Sequence, residues 1–300
     1  MGKEHGESFR GFTATILAFA VWGVLPVYWK LIRDVSPLEI LAHRIIWSLV
    51  LLVFLLSIQR KWADVAKAAS TPSVLRTLII TGSIIAANWL LYIWTVNTNR
   101  VVEASLGYYI NPLVNILFGF IFFKDKLRKL QWAAIALAAS GVLYQLLKLG
   151  ELPWASLGLA FTFGTYGLLR KIVNVDSSVG LFIETLLLSV PAMLVLGYME
   201  MHGMMFFCHT GMGTDLLLIG TGVVTSIPMV TFVYGAKRLS LVTVGILQYL
   251  SPTISFFLGI FVYGEPFSPV QLTTFACIWG ALAIYTVESI LFLRSTSERA

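Results

Sequence analysis

The chain is poor in charge, almost devoid of cysteine and without a long polar stretch. Charged residues fill 12% of its 300 positions, about half the usual share in soluble domains. That is too little to cover a water-soluble globule of this size, much of whose surface must face solvent. Its two cysteines, Cys208 and Cys277, lie far apart in different kinds of segment, so no disulfide framework is implied. There is no P-loop, dinucleotide fingerprint, zinc motif or hydrolase serine elbow, which argues against ATP coupling and leaves no catalytic residue to name. His202, His209 and Cys208 share one polar stretch but are too few to make a metal site. No cofactor and no metal are expected.

What is present is apolar. Hydrophobic residues make up 58% and the mean hydropathy is +0.84, which excludes disorder and collagen as well as a soluble fold. The net charge of +6 does not point to nucleic acid, because the bases sit in short clusters between apolar runs. Their distribution carries orientation instead. Ala18 and Ala20 mimic a signal-peptide cleavage site, but the apolar run from Gly11 continues past them to Trp29. A retained first helix is expected.

A spanning helix needs about 20 apolar residues. Ten such runs are predicted, at 11–33, 36–58, 74–97, 101–122, 128–149, 153–173, 178–198, 214–237, 241–264 and 268–292. The expected class is therefore an all-α integral membrane protein. The longest polar stretches, 59–73 and 199–213, have no room for a soluble domain. Ser36-Pro37-Leu38-Glu39 and Ser268-Pro269-Val270-Gln271 read as capping boxes with proline at the first helical position, and Thr71-Pro72 is a weaker version.

With the N-terminus in the cytoplasm, 16 Lys and Arg fall on that side and 4 on the other, with Arg44 inside a helix. Both termini are expected to be cytoplasmic. An internal repeat runs at an offset of 140 residues. Segment 101–123 aligns without gaps on 241–263, with Tyr109/Tyr249, Pro112/Pro252 and Gly119/Gly259 in register and Gln131/Gln271 continuing it. Five helices per repeat is an odd number, so the second half (150–300) must enter the membrane inverted relative to the first (1–149). The charges agree: the loop at 124–129 carries four bases and its partner at 264–269 carries none.

Two inverted five-helix repeats with a Tyr-x-x-Pro step in the fourth and ninth helices resemble the drug/metabolite transporter superfamily. GEPFSPVQLTTFACIWGALAIY (264–285) and the preceding LVTVGILQYLSPTISFFLGIFVYGE (241–265) look like that family's closing motif, with Asp125 standing in the first half where Glu265 stands in the second. The chain is most similar to the EamA group, and VWGVLPVYWKLI (21–32) and YYINPL (108–113) resemble its RarD-type branch, named for chloramphenicol sensitivity. The resemblance implies ten helices, the inner membrane and export of small metabolites or drugs.

A transport path needs polar groups that lipid would reject. In the fourth helix Ala104, Tyr108, Asn111, Asn115 and Gly119 share one face, and the repeat places Val244, Gln248, Ser251, Ser255 and Gly259 on the ninth. Pro112 and Pro252 free backbone carbonyls beside them. These stripes line a cavity or act as helix-to-helix glue. Asn88, Tyr92, Thr95 and Asn99 form a face of the third helix, with Trp89 and Trp94 nearby, and Trp22 shares a face of the first helix with Pro26. Arg44 sits about eight residues into its helix, roughly 12 Å deep. Its repeat equivalent is Glu184. An unpaired charge at that depth costs about 3 kcal/mol or more, so each must meet substrate, a gate or a structural partner. Their positions lie nearer opposite faces of the membrane. His43 reads as hydrogen-bonded within its helix, Glu39 as part of its cap, and Glu103 and Glu288 as interfacial.

The candidate substrate-binding residues are thus Trp22, Arg44, Asn88, Tyr108, Asn111, Asn115, Glu184, Gln248 and Ser251. The expected function is secondary transport: export of small organic metabolites, amino acids or drugs across the bacterial inner membrane by alternating access. The expected partners are a small-molecule substrate and the lipid bilayer, with no nucleic acid, and a homodimer is left open. The rivals are a non-transporting sensor or assembly partner, an intramembrane lipid-modifying enzyme, for which the chain shows only scattered acids and histidines, and a nucleotide-sugar exchanger, for which only Arg44 is available as a cavity base.

Overall fold

The structure is a computed structural model that describes the backbone of residues 2–97, 101–150, 153–264 and 268–297, with side chains described over 6–92, 94–95, 105–148, 153–264, 268–288 and at 291. Among the described residues every regular element is a helix. In chain order these are α1 (Gly2–Leu31), α2 (Pro37–Gln59), α3 (Trp62–Ser70), α4 (Pro72–Asn97), α5 (Val101–Phe123), α6 (Lys129–Leu149), α7 (Trp154–Ile172), α8 (Ser177–Met201), α9 (Met212–Ala236), α10 (Leu241–Gln248), α11 (Leu250–Phe257), a π-helical turn (Leu258–Val262) and α12 (Pro269–Ser297). Nine candidate membrane spans are found among the described residues, α10, α11 and the π turn counting together as one. The helix α7 is not among them, because Gly158, Thr162, Gly164, Thr165 and Gly167 dilute its apolar run and Arg170 and Lys171 close it.

The span boundaries agree with the hydropathy reading to within a few residues, apart from α1, whose polar start is already helical, and the end of α12. The stretch 59–73 is not a plain loop. Its alanine-rich WADVAKAAS forms α3, pinned by Trp62, which packs edge-on against Phe182 and donates to Ser57 Oγ. The ninth hydropathy run is broken at Tyr249 and ends in the π turn. Pro252 has no N–H for the helical ladder there, whereas α5 runs on through Pro112.

The caps divide. Ser268 and Gln271 cap each other reciprocally, Ser268 N–H donating to Gln271 Oε1 at 2.9 Å and Gln271 N–H to Ser268 Oγ at 3.2 Å. Ser36 makes no side-chain cap. Glu39, fully buried, turns instead to the 202–211 connection and accepts the backbone N–H groups of Phe206 and Phe207, each at 2.9 Å. Glu288, at the end of the last candidate span, is buried and paired with Arg128. Glu103, Asn99, Ala104 and Glu265 lie outside the described side chains.

Helix α1 packs on α9 and α11, α2 on α8 and α9, α4 on α7 and α8, α5 on α7 and α10, and α6 on α12. Several crossings are close enough to require glycine, among them those at Gly245 and Gly23. A Cβ on Gly245 would stand 2.6 Å from the carbonyl oxygen of Pro112, and one on Gly23 would stand 2.7 Å from Ile254 Cβ. One buried apolar cluster joins Phe19, Leu52, Ile85, Tyr166 and Phe232, and another joins Leu106, Tyr249, Phe275 and Ile278. Large apolar side chains such as Phe54, Leu194 and Phe261 are exposed on the outside, as lipid-facing residues are.

Candidate functional site

The bundle encloses a cavity of about 440 Å³. Trp22, Trp29 and Lys30 reach it from α1, Arg44 from α2, Asn88, Trp89 and Tyr92 from α4, and Tyr108 and Asn111 from α5. Phe163 of α7, Thr225 and Met229 of α9, and Gln248, Ser251 and Ser255 of α10 and α11 complete the wall, with Tyr263 beyond the π turn. Tyr108 is 53% accessible although it lies deep in the bundle, because its accessible face is cavity wall.

The lining residues belong to one end of the molecule. Contacts tie the connections of that end together: Glu39 to Phe206, Trp94 to Trp154 at 4.9 Å between ring centroids, and Lys30 Nζ to the Tyr263 ring at 3.2 Å. The other end is shut by reciprocal hydrogen bonds between two helix C-termini. Lys171, in the last turn of α7, donates to the carbonyls of Ala236, the last residue of α9, and of Leu239 just past it. Lys237, just past α9, donates to the carbonyls of Val173 and Val175 just past α7, both at 2.6 Å. Helix C-termini carry orphan carbonyls and a partial negative charge, so each ammonium meets both needs. Burial pushes the Lys237 amine down to about 8, with repulsion from Arg170 adding to the fall and Asp176 opposing it. At neutral pH it therefore still carries its proton. Lys61 pairs with Asp176 at 2.9 Å across the same end. Burial alone would raise Asp176, but Lys61 and Ser178 outweigh it and hold the carboxyl below its usual range.

Arg44 is aimed into the cavity. Its Nε donates to Thr225 Oγ1 at 3.1 Å, and its guanidinium lies 5.2 Å from the Trp29 ring and 5.0 Å from the Trp89 ring, within reach of cation–π attraction to both. Among the described residues no carboxylate pairs with it. The cavity floor is a closed amide network. Asn115 Nδ2 donates to Gln248 Oε1 at 2.6 Å and to Asn111 Oδ1 at 3.2 Å, and Gln248 Nε2 donates to Asn111 Oδ1 at 2.9 Å. It joins α5 to α10 beside the Gly245–Pro112 crossing. Asn88 is anchored through Nδ2 to Leu159 O and Thr162 Oγ1.

Glu184 takes no part in the cavity wall. Its Oε1 accepts from Thr81 Oγ1 at 2.5 Å and lies 3.5 Å from Arg170 Nε, while Tyr166 donates to its Oε2 at 3.2 Å. Arg170 is fully buried and also donates to Ser177 O. A Cβ on Gly180 would fall 1.8 Å from Arg170 Nη1, so the guanidinium lies flat on that glycine.

A cavity of this kind, with amides at its floor, is set in a fold already known from a solved crystal structure. That structure superposes with a TM-score of 0.66 at 19% identity, covering 95% of this chain and 98% of its own. The EamA-like transporter family matches residues 9–147 and again 152–287. The chain belongs to the EamA-like transporter family. Its relatives include an uncharacterized transporter of Vibrio cholerae, 42% identical over 97% of this chain and 96% of that protein, and protein RarD of Escherichia coli, 43% identical over 97% and 99%. This family member is a multi-pass membrane protein, in bacteria of the inner membrane, and a transporter rather than an enzyme by its kinship.

Of the residues singled out from sequence, the structure gathers Trp22, Arg44, Asn88, Tyr108, Asn111, Gln248 and Ser251 on the cavity wall. Asn115 sits one layer behind, in the amide network, and Glu184 lies apart with Arg170. Sequence reasoning missed Lys30, Thr225 and Phe163 in the lining. It used Lys30 and Arg170 only in the charge balance of the two sides, and both stand in the last turn of a helix. The offset of 140 that pairs Arg44 with Glu184 also pairs Lys30 with Arg170, a signal that was available.

Proposed function

We propose that this transporter is a secondary exporter of small organic molecules that works by alternating access. The observation that carries the reading is a cavity whose lining belongs to one end of the bundle, while the other end is shut by Lys171, Lys237 and the amide floor. Five helices in each half, related by inversion, would exchange these two ends. The helix pairs support this: replacing each span by the one five later turns α1–α9 into α4–α7, α1–α11 into α5–α7 and α2–α9 into α4–α8, all of which are packed pairs. With both termini in the cytoplasm, the open end faces the periplasm, and substrate loads after the lysine end opens. The test is flux in proteoliposomes, with and without a pH gradient, together with thiol labelling of Ser251→Cys in a background with Cys208 and Cys277 replaced by serine. Labelling from the periplasmic side and measurable flux are expected. Labelling only from the cytoplasmic side overturns the orientation, and a reconstituted, correctly folded protein without flux across a broad substrate panel favours a sensor or assembly partner.

A further inference from the structure

We propose that the cavity is built for an organic monoanion: a carboxylate seated on Arg44, with an aromatic or aliphatic body among Trp22, Trp29, Trp89 and Phe163. The proposal deepens the transport reading, taking from it that the cavity is the substrate site.

Three observations converge. The charged residues of the described lining are Lys30 and Arg44, both cationic. A ligand ammonium brought to Arg44 would meet a like charge, whereas a carboxylate meets an opposite one. Next, Arg44 is held but not neutralised. Thr225 takes its Nε, the two indoles flank it, and the ionisable groups it faces are Tyr92 and Tyr108, whose rings lie 6.3 Å apart. With Nε engaged, the paired Nη groups form the planar fork that matches two carboxylate oxygens. Finally, the rest of the wall is mostly apolar, with aromatic rings such as Trp22, Trp29, Trp89 and Phe163 among it, so a bare inorganic anion would leave it unfilled, whereas an aryl or alkyl carboxylate covers both kinds of surface at once. A dianion fits less well, because the second cation, Lys30, already lies over the Tyr263 ring at the mouth. Excluding water around the fork strengthens the pairing, since charges attract more strongly where the surroundings are less polarisable.

The test uses four probes on one carbon skeleton with the purified full chain in detergent: 3-phenylpropionate, 3-phenylpropanamide, 3-phenylpropylamine and phenylalanine. Equilibrium binding should favour 3-phenylpropionate by about tenfold or more over each of the others. Arg44→Gln should bring the propionate down to the level of the amide while leaving amide binding unchanged, and Arg44→Lys should recover only part of the difference, because an ammonium lacks the two-pronged fork. Should Arg44→Gln not fold, the ranking of the four probes on the wild-type chain decides alone. The proposal is overturned if the amine, the amide or phenylalanine binds as tightly as the propionate, if the propionate does not bind, or if Arg44→Gln leaves its affinity intact. Flux separates the two readings. Propionate that binds by these rules but never crosses a liposome membrane keeps the anion site and removes transport. Phenylalanine or amine flux without propionate binding keeps transport and removes the anion site.

Discussion

At one end of the bundle the buried cations face a carboxylate or helix-end carbonyls, and at the other Arg44 faces a hydroxyl and aromatic rings. Arg170 lies against Glu184 and Ser177 O, and Lys171 and Lys237 finish each other's helix C-termini. At the open end, Arg44 is left with a hydroxyl and two ring faces, and Lys30 lies over a tyrosine ring. Charged residues recur in related registers, Lys30 standing 140 positions before Arg170 and Arg44 the same distance before Glu184, where the sign is reversed. At the lysine end Arg170, Lys171 and Lys237 meet a carboxylate or helix-end carbonyls. At the cavity end no carboxylate among the described residues pairs with Arg44.

The largest expected effect tests this contrast directly. Arg170→Met leaves Glu184 as an uncompensated buried carboxylate and should destabilise the protein by about 3–5 kcal/mol, seen as a loss of folded yield and a sharply lower Tm in detergent. Arg44→Met strands no carboxylate among the described residues, so its stability cost should stay within about 1 kcal/mol. Equal losses for the two variants would erase the distinction between the ends.

Next comes the pair of lysines. Lys171→Met with Lys237→Met removes four hydrogen bonds to helix-end carbonyls, each charged bond contributing about 1.5–3 kcal/mol. In the cysteine-replaced background, Val242→Cys, now buried, should then label from the lysine end at least about tenfold faster. Unchanged labelling would mean that the amide floor alone closes this end. That floor is tested by Asn111→Leu and Gln248→Leu, which leave amide groups unpaired at a cost of about 1–3 kcal/mol. Both variants should insert and fold, with a Tm lower by a few degrees and with reduced flux or altered selectivity. The smallest effect is expected at the mouth. Tyr263→Leu removes the ring beneath Lys30 and should cost only about 0.5–1 kcal/mol, measured as Tm against wild type.

Much of this was readable from the order of residues. Membrane class follows from hydropathy, since only helices satisfy their own backbone in lipid. Arg44 stood out by depth alone, and the stripes through Asn111 and Gln248 stood out by helical spacing and by the repeat. Choices among several partners were not readable. Ser36 and Glu39 spell a capping box, yet the carboxylate is taken by the amides of Phe206 and Phe207, a contact 167 and 168 positions away. Arg170 enters the sequence reading only as one base of its side's charge balance, and only the packing of α7 against α4 and α8 against α4 brings Thr81, Tyr166 and Glu184 around it. Tertiary placement decided which of several possible partners each polar group met.

The sign of the charges in the cavity has an electrical consequence. A monoanion that enters at the lysine end and leaves past Arg44 and Lys30 carries one negative charge across the membrane. An inside-negative voltage acts on that charge with about 2.3 kcal/mol per 100 mV, enough for roughly a fiftyfold concentration ratio. The voltage that bacterial membranes already maintain would push such a cargo outward.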